Sequence, residues 1–369
     1  MKTDQFRLID FIDDIFAGKD VFFNSLHVAE DFMTKNVKTL TLDDKVDTCL
    51  RFMEENNVRH MPVVDFPGEK EGKAVFVGVV SQRDVLRQIS LYVGKIGQKE
   101  TDEKALKMPL VQIETRSPKT VSPETPICQV IQTMLDNHID ALPVVVNRQV
   151  VGIITTDDII KLLVRLEAIC NLCRQTSRQT RLIDLISDGT KSSVADCFSS
   201  VLRTVQDIMS KPVVCLDEQD RLNKAMDTMR VGNFRHVPIV DKQKKLVGIV
   251  SDRDVLRALP YIGRQVQSQT KGFRASLFTV KPEDPSLGLP LGEIMTKNIA
   301  CLQDNGSVFD AAKTMHQKKV SCLPVVDDEK KLLGIVTVTD VMRALLSAYQ
   351  IVAKSGVSSE PVANVTLSH

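Results

Sequence analysis

No charge of one sign dominates this chain: 48 Lys plus Arg stand against 47 Asp plus Glu over 369 residues, for a formal charge of +1. A polycation drawn to nucleic acid or to an anionic membrane by its overall field is thereby excluded. Long apolar runs are also missing. The best stretches, 75–80 and 334–338, have strand length and fall short of the roughly 18 residues of a spanning helix, so no membrane segment is expected. The N-terminal MKTDQFRLIDFIDDIFAGKD is broken by Asp4, Asp10, Asp13 and Asp14, which argues against a secretory signal and against an acid-poor transit peptide. A cytoplasmic protein is expected. Its 8 cysteines are scattered, as reduced thiols are in a chain too long to need stapling. Catalytic motifs are absent as well: there is no HExxH, no nucleophile elbow and no complete GxxxxGK[ST], since the Gly-Lys pairs at 18–19, 72–73 and 94–95 lack a following Ser or Thr. Cys170-x-x-Cys173 has no second CxxC and no nearby His, so it falls short of a zinc site.

What the chain does have is repetition. Hydrophobic residues make up 43% and charged residues 26%, ordinary for a globular protein, and the length suggests two or three compact units. One segment recurs four times. Each copy carries an apolar-Pro-apolar-Val step: HMPVV (60–64), ALPVV (141–145), HVPIV (236–240) and CLPVV (322–326). After a polar loop, a Gly opens an apolar run ending in Ser/Thr-x-x-Asp: GVVSQRD (78–84), GIITTDD (152–158), GIVSDRD (248–254) and GIVTVTD (334–340). Gly to Asp is six residues in all four, and a Met lies 29 residues before the Pro in three (Met33, Met209, Met295), with Glu114 at that place in the second. Only the first copy has a longer loop, through FPGEKEG (66–72). Between the Met and the Pro, apolar residues fall at helical spacing, as in Val46, Leu50, Met53 and Leu222, Met226, Met229. Each copy thus reads as strand, helix, strand, turn, strand, helix, with the second helix beginning at the Ser or Thr.

Copies one and three share RHxP (59–62, 235–238) and SxRDVLR (81–87, 251–257), and the likeness continues into LYVGK (91–95) and PYIGR (260–264). The duplicated unit was therefore a pair of copies. The expected organisation is an N-terminal helical segment (1–30), repeats over 31–92 and 108–167, a helical connector (168–205), repeats over 206–262 and 289–350, and a mobile tail (351–369).

The hPhh step followed by G-h-h-[ST]-x-x-D, four times over, resembles the CBS domain, here in two tandem (Bateman) pairs, and the four-copy arrangement is similar to the gamma subunit of AMP-activated protein kinase. The resemblance implies an α+β fold of strand-helix-strand-strand-helix units with small mixed sheets packed on helices.

The Ser/Thr-x-x-Asp step has two readings. As a capping box it satisfies orphan amides of the first helical turn. As a binding site it puts a carboxylate, suited to a vicinal diol, beside a helix N-terminus that favours phosphate. The family resemblance implies ribose contacts by Asp84, Asp158, Asp254 and Asp340, with Ser81, Thr155, Ser251 and Thr337 nearby. Copies one and three add basic residues, Arg59, His60 and Arg83 and then Arg235, His236 and Arg253, which the resemblance places near phosphates. A solvated Arg and a packed His are the plainer alternative. Asp140, at the place of Arg59 plus one repeat, would oppose phosphate. Basic residues three beyond each motif Asp (Arg87, Lys161, Arg257, Arg343) read best as i,i+3 ion pairs.

With the ordered length taken up by repeats, no catalytic residue, required cofactor or metal is expected. The resemblance implies a non-catalytic sensor whose regulatory ligand is an adenine nucleotide (AMP, ADP or ATP), acting on a protein partner by shifting the arrangement of its pairs. The pairs would associate as a disk within one chain or in a homodimer, through faces such as 6–23 and 194–205. A ligand-free interaction scaffold, a sensor of another adenosyl ligand such as S-adenosylmethionine, and a regulator binding nucleic acid through Arg174, Arg178 and Arg181 are the alternatives.

Overall fold

The computed structural model describes residues 28–67, 73–86, 106–167, 204–258 and 288–354. Most of the N-terminal segment (1–27), of the connector (168–203, with the Cys170–Cys173 pair) and of the tail (355–369) lies outside these residues, while 351–354 continue the last helix. Four α+β units are present, each built on an antiparallel hairpin: His60–Asp65 with Val75–Ser81, Ala141–Val146 with Gln149–Thr155, His236–Val240 with Leu246–Ser251, and Cys322–Val326 with Leu332–Thr337. The motif prolines occupy equivalent register positions, Pro62 opposite Val79, Pro143 opposite Ile153, Pro238 opposite Ile249 and Pro324 opposite Ile335.

In front of each hairpin runs the expected amphipathic helix. Val46–Glu55 buries Val46, Cys49 and Met53; Ile127–Asn137 buries Ile127, Val130, Ile131 and Met134; Leu222–Gly232 buries Leu222, Ala225, Met226 and Met229; Val308–Lys318 buries Val308, Ala311, Ala312 and Met315. Steps of three and four keep these side chains on one face, over their own sheet. The last three helices end in a left-handed residue, His138, Asn233 and Lys319, which turns the chain sharply into the next strand.

The short segments upstream of these helices do something the spacing alone does not reveal, for they cross to the other repeat of the pair. Thr34–Lys35 pairs antiparallel with Gln149–Thr155, and Thr115–Arg116 pairs with Val75–Ser81. In the second pair, Ser210 bridges to Ile335 and Thr296 to Ile249. Three of these segments bring a Met onto the motif Gly of the partner repeat. A Cβ at Gly152, Gly248 or Gly334 would lie 2.2 Å from the Sδ of Met33, Met295 or Met209. In the fourth, Glu114 takes the place of Met against Gly78. Glycine leaves room at these strand positions for the side chain that the partner repeat lays on them, and at Gly78 also for the Thr115 carbonyl, 3.0 Å from where a Cβ would stand.

The exchange extends to the cores. Leu110 lies in the core of the first repeat, and Leu291 and Met295 in that of the third. Ala29 and Val205 join a third cluster in which the second and fourth repeats are continuous, through residues such as Ile131, Leu163, Leu323 and Leu345. Fully burying a leucine such as Leu110 or Leu291 contributes about 1.5–3 kcal/mol, so the exchanged segments anchor each repeat to its partner. The two pairs also touch within the chain. The helix Val338–Lys354 packs on Ile127–Asn137, and Asp252–Ala258 on Gln82–Leu86.

Candidate functional site

Ser81, Thr155, Ser251 and Thr337 are each the last residue of a strand, and the second helix begins one residue later, at Gln82, 156, Asp252 and Val338. The expectation that the helix starts at the hydroxyl residue is corrected by that one position: the residue is the cap. In every repeat the motif carboxylate turns back on it. Asp84 Oδ2 accepts from Ser81 N at 2.9 Å and Oγ at 2.6 Å, and Asp254 Oδ2 from Ser251 N at 2.9 Å and Oγ at 2.6 Å. Asp158 accepts from Thr155 N at 2.9 Å and Oγ1 at 2.7 Å, and Asp340 from Thr337 N at 2.9 Å and Oγ1 at 2.6 Å. A further bond ties each second helix to the residue before its own hairpin: Gln82 N to Arg59 O, Thr156 N to Asp140 O, Asp252 N to Arg235 O and Val338 N to Ser321 O, at 2.8–3.0 Å. Ser/Thr-x-x-Asp and the pre-strand residue therefore stand together at one corner of each repeat.

The basic residues of copies one and three converge where the two pairs meet. Arg83 Nε donates to Asp252 Oδ2 at 2.6 Å and its Nη1 to Asp140 Oδ2 at 2.8 Å. Arg235 Nη1 donates to the same Asp140 oxygen at 2.7 Å, and its Nη2 to His138 O at 3.1 Å. Across the interface, Arg59 Nη2 donates to Lys319 O at 3.0 Å. His60 and His236 are partly buried, and Ser321 Oγ lies 3.4 Å from His236 Nε2.

Burial decides the charge states here. It pulls His60 down to about 4 against the opposing pull of Asp140, and His236 down to about 4 against that of Asp252, so both imidazoles are neutral at neutral pH. Burial also works to raise Asp140, but Arg235 and Arg83 outweigh it and hold the carboxyl well below the usual range. Arg253 is pulled down to about 10, first by burial and then by the neighbouring Arg59 and Arg83. Its Nε is buried and makes no hydrogen bond among the described residues.

The structure thus assembles Arg59, His60, Arg83, Arg235, His236 and Arg253 in one region, and adds two residues that matter. Asp140 forms ion pairs with both Arg83 and Arg235. Asp252, buried at 1% exposure, is missed by motif reading, although Asp in SDRD against Gln82 in the otherwise equivalent SQRD is a visible signal. The i,i+3 reading of the following basic residue is seen in Lys161, 3.0 Å from Asp158, and in Arg343, 3.6 Å from Asp340. The side chains of Arg87 and Arg257 lie outside the described residues. A cavity of about 520 Å³ lies elsewhere, lined by residues such as Phe76, Glu114, Arg116 and Arg148, and touches none of the motif acids. No group of three or more His, Cys, Asp or Glu with metal-binding geometry occurs among the described residues, nor does a helix long and apolar enough to cross a membrane.

Strand-exchanging pairs of small α+β units, each with a capped Ser/Thr-x-x-Asp where strand becomes helix, define a tandem-repeat domain protein. The chain belongs to the CBS domain family, which matches residues 28–91, 111–165, 205–261 and 291–347. Among curated proteins it is 29% identical over 315 residues to uncharacterized protein MJ1404 of Methanocaldococcus jannaschii, covering 85% of this chain and 61% of that protein. It is 25% identical over 142 residues to inosine-5'-monophosphate dehydrogenase of the same archaeon, covering 38% of this chain and 23% of the enzyme. The chain therefore spans less than two thirds of either relative. The crystal structure of MJ1225 from M. jannaschii superposes with a TM-score of 0.56 at 21% identity, over 86% of this chain and 99% of that one, and shares its fold.

Proposed function

We propose that the chain is a non-catalytic regulatory protein that binds an adenine nucleotide at the corners where strand becomes helix, and that the ligand shifts the arrangement of the repeats for a protein partner to read. The observation carrying this reading is the recurrence of one geometry four times, Ser/Thr and Asp at a helix entry, with the basic residues of copies one and three gathered beside it. The cap engages Oδ2 of each Asp, and a carboxylate has about four acceptor positions, so capping and holding a ribose diol are compatible. Arg59 and Arg253 supply the complementary charge for a phosphate. Membership of the CBS family, whose members commonly hold adenosine ligands at this Asp, supports the choice of ligand class. Ligand-dependent rearrangement follows when the nucleotide has different affinities for two arrangements of the exchanged repeats.

The capping boxes themselves favour a second reading, a ligand-free scaffold in which the Asp residues only stabilise helices. Calorimetric titration with AMP and then ATP separates the two, using Asp84→Asn and Asp254→Asn. Asn keeps one side-chain oxygen to accept from the N–H of Ser81 or Ser251, the bond that closes the capping box, but lacks the second acceptor oxygen. Saturable heat that the folded variants lose supports the sensor. No heat with either nucleotide in the unaltered chain, or undiminished affinity in both variants, overturns it.

A further inference from the structure

The contact between the two pairs has two halves related by the internal duplication, and their charges do not match. In one half, two guanidiniums, Arg83 and Arg235, meet two carboxylates, Asp140 and Asp252, at 2.6–2.8 Å. The duplication maps these four residues onto Arg253, Arg59, Ser321 and Gln82, which is two guanidiniums and no carboxylate. The backbone frames agree nonetheless. Arg235 Nη2 donates to His138 O at 3.1 Å and Arg59 Nη2 to the equivalent Lys319 O at 3.0 Å, and both carbonyls belong to a left-handed residue closing a helix. Asp252 N donates to Arg235 O and Gln82 N to Arg59 O, both at 2.8 Å. The halves therefore differ in side-chain charge and not in shape.

A buried guanidinium nitrogen without an acceptor carries a desolvation cost that an anion removes, and an oxyanion with several acceptors is the natural counterpart of two adjacent guanidiniums. Arg253 is in that position: Asp252 and Asp140 are near enough to favour its charge, but its buried Nε is unbonded among the described residues, whereas Arg83, its duplicate, is ion-paired to both acids. We propose that the corner formed by Arg253 and Arg59 takes a phosphate-class anion, and that Asp140 is a built-in anion closing the equivalent corner at Arg83 and Arg235, so that the contact between the pairs accepts one such anion and not two. This rests on the nucleotide reading only for the source of the anion. A nucleotide phosphate and free inorganic phosphate or pyrophosphate present the same chemistry.

The test exchanges the deciding residue between the halves. The full chain, Ser321→Asp, Asp140→Ser/Asp252→Gln and Arg253→Gln are titrated calorimetrically with sodium pyrophosphate and separately with AMP, after circular dichroism has shown each variant folded. The expected result is one pyrophosphate per unaltered chain and two for Asp140→Ser/Asp252→Gln, which gives the closed half the residues of the open one. For Ser321→Asp and Arg253→Gln, affinity should fall by at least about tenfold, the worth of a lost charged hydrogen bond. No pyrophosphate bound to the unaltered chain, two bound to it, or unchanged affinity in the folded Arg253→Gln overturns the proposal. Pyrophosphate binding without AMP binding leaves it standing and overturns the adenosine reading. AMP binding that survives Arg253→Gln and is lost in Asp254→Asn does the reverse.

Discussion

An alanine at Gly248 reports on the exchange of segments between repeats more sharply than any other single change. Its Cβ would lie 2.2 Å from Met295 Sδ, 2.8 Å from Cγ and 3.1 Å from Cβ, whereas optimal heavy-atom separations are about 3.5–4 Å. Swinging the methionine's tip away relieves the contacts to Sδ and Cγ at the expense of its packing, and the 3.1 Å approach to its Cβ still asks for a shift of a few tenths of an ångström. Such overpacking costs about 1–3 kcal/mol. Alanine recovers about 0.4–1 kcal/mol of that by restricting the unfolded chain, which leaves a net loss of up to about 2.5 kcal/mol. Met295→Ala alone, at a residue 9% exposed, loses about 2–5 kcal/mol of packing. In the double variant the overlap is gone, so the two changes should couple favourably by about 1–3 kcal/mol, the overlap cost itself. With no tryptophan in the chain, the assay is urea unfolding followed by far-ultraviolet circular dichroism. The Gly152–Met33 and Gly334–Met209 pairs have the same 2.2 Å geometry and serve as internal repeats of the experiment. Additivity within about 0.5 kcal/mol at all three places would refute the account of why glycine stands there.

Asp140→Ala removes the shared acceptor of Arg83 and Arg235, and at 28% side-chain exposure it should cost about 1–3 kcal/mol, measured by the same unfolding; a loss below about 0.5 kcal/mol would show the ion pairs to be inert. His60 and His236 have folded pKa values near 4, below the ordinary 6.5, so the unfolded chain takes up protons first. Stability from this source is complete above about pH 6.5 and falls towards pH 4, by up to about 3 kcal/mol per imidazole. Unfolding across that window should be flatter in His60→Gln/His236→Gln, and an unchanged slope would contradict the burial argument. Asp140 acts in a separate, lower window, since its depressed pKa contributes stability that is lost only as pH falls below about 4. Ser307 accepts from Asp310 N at 2.9 Å, so Ser307→Ala should cost about 1 kcal/mol, read as a shift in the urea midpoint.

The fold was legible because it is written four times. A single hPhh step or one Ser/Thr-x-x-Asp is weak, but four copies with constant Gly-to-Asp spacing leave little freedom, and helix periodicity such as Leu222, Met226, Met229 matches the buried face. The exchange of upstream segments was not legible from periodicity, because two-residue strands such as Thr34–Lys35 and Thr115–Arg116 carry too little pattern. The constant 29-residue interval from Met to Pro was its trace, reflecting a methionine that must reach the glycine of the partner repeat and not its own. The corner residues were legible as types but not as pairings. Asp140 reads in sequence as a residue that opposes phosphate, and in three dimensions it is the partner of two arginines from different repeats, Arg83 and Arg235. Asp252 became visible only with the fold, since its partner Arg83 is 169 residues away.

The central claim, that an adenine nucleotide settles at the strand-to-helix corners and couples the repeats, is tested most directly by amide hydrogen exchange of the full chain with and without saturating AMP. The account predicts slowed exchange at the first turns over 82–86 and 252–258 and at the exchanged segments beside them, with none in Asp84→Asn/Asp254→Asn. Unchanged exchange at those turns under saturating AMP and ATP would contradict it.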